Sequence, residues 1–231
     1  MQSINPPPNL PWDDIDTVLL DMDGTLLDLA YDNHVWNELV PAAYATAQGL
    51  AAEAARENIF AQMHKLQGSI DYYDFQQWSE FTGADLIELH YAASNLIGYR
   101  PGALEFLRWA RGQGLDVIIA TNADRGSLGV KNEFTHIVDE VDAVVSSHDY
   151  GVPKEAQDFW RVLATHHPYD PARSLFLDDN VSVLDSAHES GIAHLIAISQ
   201  PDSLRPERQD LGYPICNDLH DLFTTEHRKR A

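Results

Sequence analysis

Past residue 98 the chain alternates apolar runs of strand length with segments of helical period, and this rhythm narrows the possible folds sharply. "LDVIIAT", "AVVSS", "RSLFLDD" and "AHLIAIS" read as strands, while "GALEFLRWARGQG", "RGSLGVKNEF", "KEAQDFWRVLATHH" and "VLDSAHESG" read as the helices between them. Pro101 is expected in the first turn of the first of these helices, with Gly112 and Gly114 at its end. Strands joined through helices by short connections run parallel, since a tight hairpin links only antiparallel neighbours. Upstream, "DTVLLDMD" is a near-continuous apolar run of the kind covered on both faces. The expected fold is α/β: a parallel sheet with helices on both faces, in three layers. In such a sheet ligands bind beyond the carboxyl ends of the strands, beside a switch in strand order.

Residues 31 to about 97 break the rhythm. Ala, Glu, Gln and Leu dominate, as in "LVPAAYATAQGLAAEAARENIFAQMHKL", with apolar residues three and four apart, so the stretch is helical. It reads as an insertion after the first strand, over 28–97, between two parts of one core, 1–27 and 98–231. The Pro-rich start is a lead-in and the tail "EHRKRA" a frayed basic end.

The stretch "VLLDMDGTLLDL" poses a choice. Apolar runs flanking Asp-Gly signal a hairpin turn, yet Asp21 and Asp23 stand two positions apart where the first run ends. A hairpin makes no demand on the rest of the chain. A catalytic loop requires polar partners at the other strand ends, expected near 121, 146 and 178. Thr121 and Asn122, Lys154 in "GVPKE", and Asp178 and Asp179 in "FLDDN" lie there in order. Singly, each has an ordinary explanation: a turn, loop chemistry, a solvated lysine, a helix cap. Together they form a set for phosphoryl transfer.

In that set Asp21 is the nucleophile, because an aspartyl phosphate divides one hard hydrolysis into two easier displacements. Asp23 points to the same side of an extended chain. It can therefore protonate the leaving oxygen and later deprotonate water, helped by a neighbouring carboxylate that raises its pKa. Clustered carboxylates call for a hard cation, and Mg²⁺ suits an all-oxygen set. Thr121, Asn122 and Lys154 are the phosphate-binding candidates. Gly24 lets the backbone turn after the acids.

The formal charge of −21, from 36 acidic and 15 basic side chains, argues against a nucleic acid polymer as partner. No run reaches the roughly 18 apolar residues of a membrane span. The start of the chain lacks a basic, apolar export signal. A single cysteine, Cys216, suits a reducing compartment, and the cytoplasm is expected. The eleven histidines are scattered without a zinc spacing. No obligate protein partner is inferred.

These motifs resemble those of the haloacid dehalogenase-like hydrolase superfamily: Asp-x-Asp-Gly-Thr, then Thr or Ser, then Lys, then an acidic pair. The likeness covers about 16 to 198. It implies a Rossmann-like core and makes the inserted helices a cap that closes over the site and selects substrate. It also implies that Asp21 is both nucleophile and metal ligand, and that Asp23 is the acid/base with its backbone carbonyl on the metal. Asp179 becomes the better direct Mg²⁺ ligand, with Asp178 in the first or second shell. Dehalogenases of the family lack the second aspartate of the first motif, so Asp23 points to phosphate chemistry. Val183 lies where many relatives carry an Asp or Asn that supports the metal, and Asp185 is not expected to replace it.

Within the superfamily, "LLDMDGTLLDLAYDNHVW", "YGVPKE" and "FLDDN" are similar to the GMP/IMP nucleotidases. The resemblance implies a Mg²⁺-dependent phosphomonoesterase with a small phosphate ester, a purine 5′-monophosphate, as its partner. Tyr31, Trp36, Tyr72, Tyr73, Phe75 and Trp78 are candidates for the base, with Asp28, Asp32, Asn33 and Arg125 nearer the mouth and His34 ambiguous. A phosphatase of sugar phosphates or phosphoglycolate and a phosphomutase are alternatives of the same class. A receiver module would carry its acidic pair first in the chain instead of last. A non-catalytic interaction protein on this fold would release no phosphate.

Overall fold

The computed structural model describes residues 9–223. Nothing is assigned to residues 1–8 and 224–231, so the start of the Pro-rich lead-in and the tail lie outside it. The parallel sheet runs through β1 (Thr17–Leu20), β2 (Asp116–Thr121), β3 (Ala143–Ser146), β4 (Ser174–Asp178), β5 (His194–Ile198) and β6 (Ile215–Cys216). The strands are ordered β3-β2-β1-β4-β5-β6. The order reverses direction at β1, so the ends of β2, β1 and β4 lie side by side at the switch point.

The unbroken apolar runs follow from burial on both faces. Val18, Leu20, Val117, Ile119, Leu175 and Leu177 pack on one side with Phe106 and Leu107 of α6 (Ala103–Gly112) and Leu128 of α7 (Arg125–Thr135). Leu19, Ile118, Ala120 and Phe176 face the other side. They meet Phe159, Trp160 and Leu163 of α8 (Gln157–His166) and Leu184 and Ala187 of α9 (Val181–Glu189).

Between β1 and α6 the chain forms α1 (Ala30–His34), α2 (Val40–Gln48), α3 (Ala52–Leu66), α4 (Phe75–Thr82) and α5 (Leu86–Ala92). A π-helical turn, Val35–Leu39, joins α1 to α2. The starts of α4 and α5 are capped by Asp74 and Asp85, whose carboxylates accept from the Gln77 and Glu88 N–H groups. Their core is separate from the sheet's and includes Tyr31, Val35, Ile59, Phe75, Trp78 and Leu86.

Two local expectations are corrected. Pro101 precedes α6 instead of opening it. Gly102 intervenes at φ +74, and a Cβ there would lie 2.4 Å from the His220 nitrogen. β6 was not foreseen, because two residues are too few to show a period.

Candidate active site

The segment after β1 is a turn, with Gly24 at φ +88 and its N–H donating to the Leu27 carbonyl at 2.8 Å. It is no hairpin, because the chain leaves for the inserted helices. Asp21 directly follows β1, Thr121 ends β2 and Asp178 ends β4. The Asp21 N–H donates to the Leu177 carbonyl at 2.9 Å, holding the ends of β1 and β4 together.

Lys154 reaches this crevice from the loop after β3. Its Nζ lies 2.5 Å from Asp21 Oδ1 and 2.7 Å from Asp178 Oδ2. Its backbone N–H donates to Asn122 Oδ1 at 2.9 Å, and Asn122 Nδ2 donates to Glu155 Oε2 at 2.9 Å. The Asn122 side chain therefore organises the lysine loop. Thr121 Oγ1 accepts from the Ala123 N–H at 3.0 Å, which orients the hydroxyl.

Asp21, Asp178 and Asp179 each place one carboxylate oxygen within 4.8 Å of the others. Asp178 is engaged at both oxygens, by Lys154 and by the Asn180 N–H at 2.7 Å. Asp179 has a longer ion pair, 3.7 Å, with Arg208, which also donates to the Asp179 and Ile198 carbonyls. Gly24 is packed against Asp179: a Cβ would approach its Cγ to 2.9 Å. Val183 is buried and lines the cavity, whereas Asp185 accepts from the Tyr213 hydroxyl at 2.6 Å.

Burial pushes Asp21 up to about 8, with Lys154 pulling the other way. Burial raises Asp178 to about 6, again against Lys154. Asp179 rises to about 7 through burial and then the charge of Asp21. Burial disfavours the Lys154 ammonium, but Asp178 and Asp21 more than reverse this, so its pKa is raised. With all three ionised, these carboxylates would carry more negative charge than one lysine offsets. A divalent cation fits a donor set of this kind, made only of carboxylate oxygens.

Asp23 turns elsewhere. Its Oδ1 lies 2.7 Å from the Nζ of Lys131, a residue the sequence reading passed over. Burial lifts Asp23 to about 6, and Lys131 opposes the rise. Lys131 carried a signal: it falls three and four positions after Leu128 and Ser127, on the inner face of α7. Arg208 sits in a turn-rich loop where nothing in the sequence marks it.

Above the acids lies a cavity of about 320 Å³. Trp36, Tyr72, Tyr73, Phe75 and Trp78 line it from the inserted helices, with Asp32 and Asn33. Asn37 and Met63, not anticipated, line it too. Tyr31 is instead buried, donating to the His90 carbonyl at 3.1 Å. Asp28 caps the Ala30 and Ser203 N–H groups, Arg125 pairs with Asp149, and His34 is exposed. The Tyr73 hydroxyl donates to Glu155 Oε1 at 3.0 Å, tying the helices to the lysine loop.

A family model described as haloacid dehalogenase-like hydrolase matches residues 15–191. The GMP/IMP nucleotidase YrfG of Escherichia coli (strain K12) is 36% identical over 215 residues, covering 93% of this chain and 97% of that protein. A HAD phosphatase from Thermococcus onnurineus superposes with a TM-score of 0.75 at 20% identity, over 90% of this chain and 96% of that one. A putative beta-phosphoglucomutase from Thermotoga maritima does so with a TM-score of 0.62 at 16% identity, over 88% and 94%. At such identities the two structures speak for the fold alone. The family match takes in Asp21, Asp23, Thr121, Asn122, Lys154, Asp178 and Asp179 and agrees with the long alignment to a relative, so the chain belongs to the haloacid dehalogenase-like hydrolase family.

Proposed function

We infer that the protein is a Mg²⁺-dependent phosphomonoesterase that hydrolyses purine 5′-monophosphates, GMP and IMP, to nucleoside and phosphate. The observation that carries this is the crevice itself. Asp21 lies between Lys154 and the acidic pair, with Asp23 beside it, beneath an aromatic-lined cavity. In this reading 1–27 and 98–231 form the hydrolase core and 28–97 the cap. The lone buried Cys216 is in keeping with a cytoplasmic setting.

Asp21 and Asp179, with the Asp23 carbonyl, would hold the cation, and Asp178 would orient Lys154 beside it. When bound, Mg²⁺ neutralises the crowded carboxylates and the phosphoryl oxygens. A carboxylate oxygen of Asp21 attacks phosphorus as the ester P–O bond breaks, and Asp23 gives its proton to the departing alkoxide. Asp23 then takes a proton from water, which attacks the aspartyl phosphate, and the Asp21–phosphorus bond breaks to release phosphate and restore Asp21. Thr121, the backbone at Asn122 and Lys154 hold the phosphoryl oxygens. The name of the Escherichia coli relative and the aromatic wall together support a purine base.

The test is phosphate release from GMP, IMP, AMP, UMP, sugar phosphates and phosphoglycolate, with Mg²⁺ and with chelator. GMP and IMP should lead, and chelator should abolish turnover. A preference for sugar phosphates or phosphoglycolate overturns the nucleotide reading, and chelator-insensitive turnover overturns the metal.

A further inference from the structure

Lys131 is buried, 1% exposed at its side chain, and its Nζ is shared between two carboxylates: Asp23 Oδ1 at 2.7 Å and Asp32 Oδ1 at 2.7 Å. It also stands 5.5 Å from the centroid of the Tyr31 ring. Three separate parts of the chain meet at this ammonium. Asp23 comes from the turn after β1, Asp32 from α1 at the start of the inserted helices, and Lys131 from α7 after β2.

Joining α7 to the inserted helices does not require such a bridge. α5 already packs on α7, and the Tyr91 hydroxyl donates to Glu133 at 2.7 Å on the surface. Burying a lysine and two carboxylates is costly before their attraction is counted, so an apolar contact would serve adhesion as well. What the bridge does achieve is directional. Asp23 stands two residues from Asp21, yet its carboxylate is not among the oxygens that converge for a cation. It is paired with Lys131 and lines the cavity together with Asp32.

We propose that Lys131 and Asp32 are positioning residues for the acid/base. Lys131 holds the Asp23 carboxylate away from the cation set and toward the cavity, and Asp32 fixes Lys131 from the cap side. The orientation of Asp23 therefore depends on the seating of the cap's first helix. This rests on the reading of Asp23 as the group that protonates the leaving oxygen.

The experiment compares kcat/KM for p-nitrophenyl phosphate, whose leaving group needs no proton, with that for an alkyl phosphate, whose leaving group does. Both are measured at saturating Mg²⁺. Asp23→Asn calibrates the assay and should depress the alkyl ester far more than the aryl ester. Lys131→Met should do the same, with an alkyl loss at least about tenfold larger than the aryl loss. Should Lys131→Met not fold, Asp32→Ala keeps Lys131 neutralised by Asp23 and should show the same split, more weakly. Equal losses on both esters, or none, in a folded variant would mean that the bridge is structural and overturn the proposal. If Asp23→Asn itself shows no split, the fault lies in the acid/base reading, and the positioning role falls with it.

Discussion

Asp21 and Lys154 illustrate how much chemistry depends on single side chains brought together from 133 positions apart. Asp21→Asn keeps the shape but removes the proposed nucleophile, so turnover of GMP should fall at least about a thousandfold. The wild type, quenched in acid, should yield a phosphorylated enzyme that the variant does not. Gly24 is as restrictive in its own way, because at φ +88 a side chain strains the backbone and meets Asp179. Gly24→Ala should raise the Mg²⁺ concentration for half-maximal activity by about tenfold or more, read by metal titration; an unchanged midpoint would contradict the contact. Asp21, Asp23, Thr121 and the acidic pair were legible because they lie at or just past strand ends, and Lys154 because it follows β3 in the connecting loop, where type and order carry meaning. Lys131 and Arg208 were not, since a lysine in a helix and an arginine in a loop are solvated by default. The resemblance already favoured Asp179 over Asp178 as the direct ligand; the contacts around each, Lys154 and the Asn180 N–H on Asp178 and Arg208 on Asp179, came only with the structure.

Among the elements, α5 carries a pH-sensitive residue within the inserted helices' core. His90 is buried, and burial pushes its pKa down to about 4, Lys131 adding to the effect. In the unfolded chain it titrates near 6.5, so folding favours the neutral ring. That contribution is complete above about pH 6.5 and is lost as pH falls toward 4, by an amount of order 3 kcal/mol. The acids of the crevice, raised by folding, run the opposite way. The sign is therefore read from urea unfolding of the wild type against His90→Gln, whose difference should shrink between pH 7 and pH 4.5. The link from Tyr73 through Glu155 to Asn122 joins the inserted helices to the lysine loop. Tyr73→Phe deletes one hydrogen bond, worth about 1 kcal/mol, and should raise KM about fivefold with kcat within about twofold. Long helices and central strands were readable from period. Pro101 and β6 were misread or missed because a turn at Gly102 and a two-residue strand depend on the His220 backbone and on β5.

The full chain carries a formal charge of −21, which works against any dianionic ester approaching the crevice. Raising the NaCl concentration from 10 to 150 mM screens that field, so kcat/KM for GMP should rise about two- to fivefold with kcat little changed. A fall would mean that local attraction by Lys154 and the cation outweighs the surrounding field at long range. Among the described residues no helix is long and apolar enough to cross a membrane. The parallel sheet, the inserted helices and the identity of most crevice residues followed from local order along the chain, because hydrophobic period and strand-end position are short-range properties. The sharing of Lys131 between Asp23 and Asp32, the cradle of Gly24 around Asp179 and the choice of Trp36 and Asn37 over Tyr31 for the cavity did not follow. Each depends on how separate elements pack against one another, and distances of 2.7–3 Å between residues a hundred positions apart are set by that packing alone.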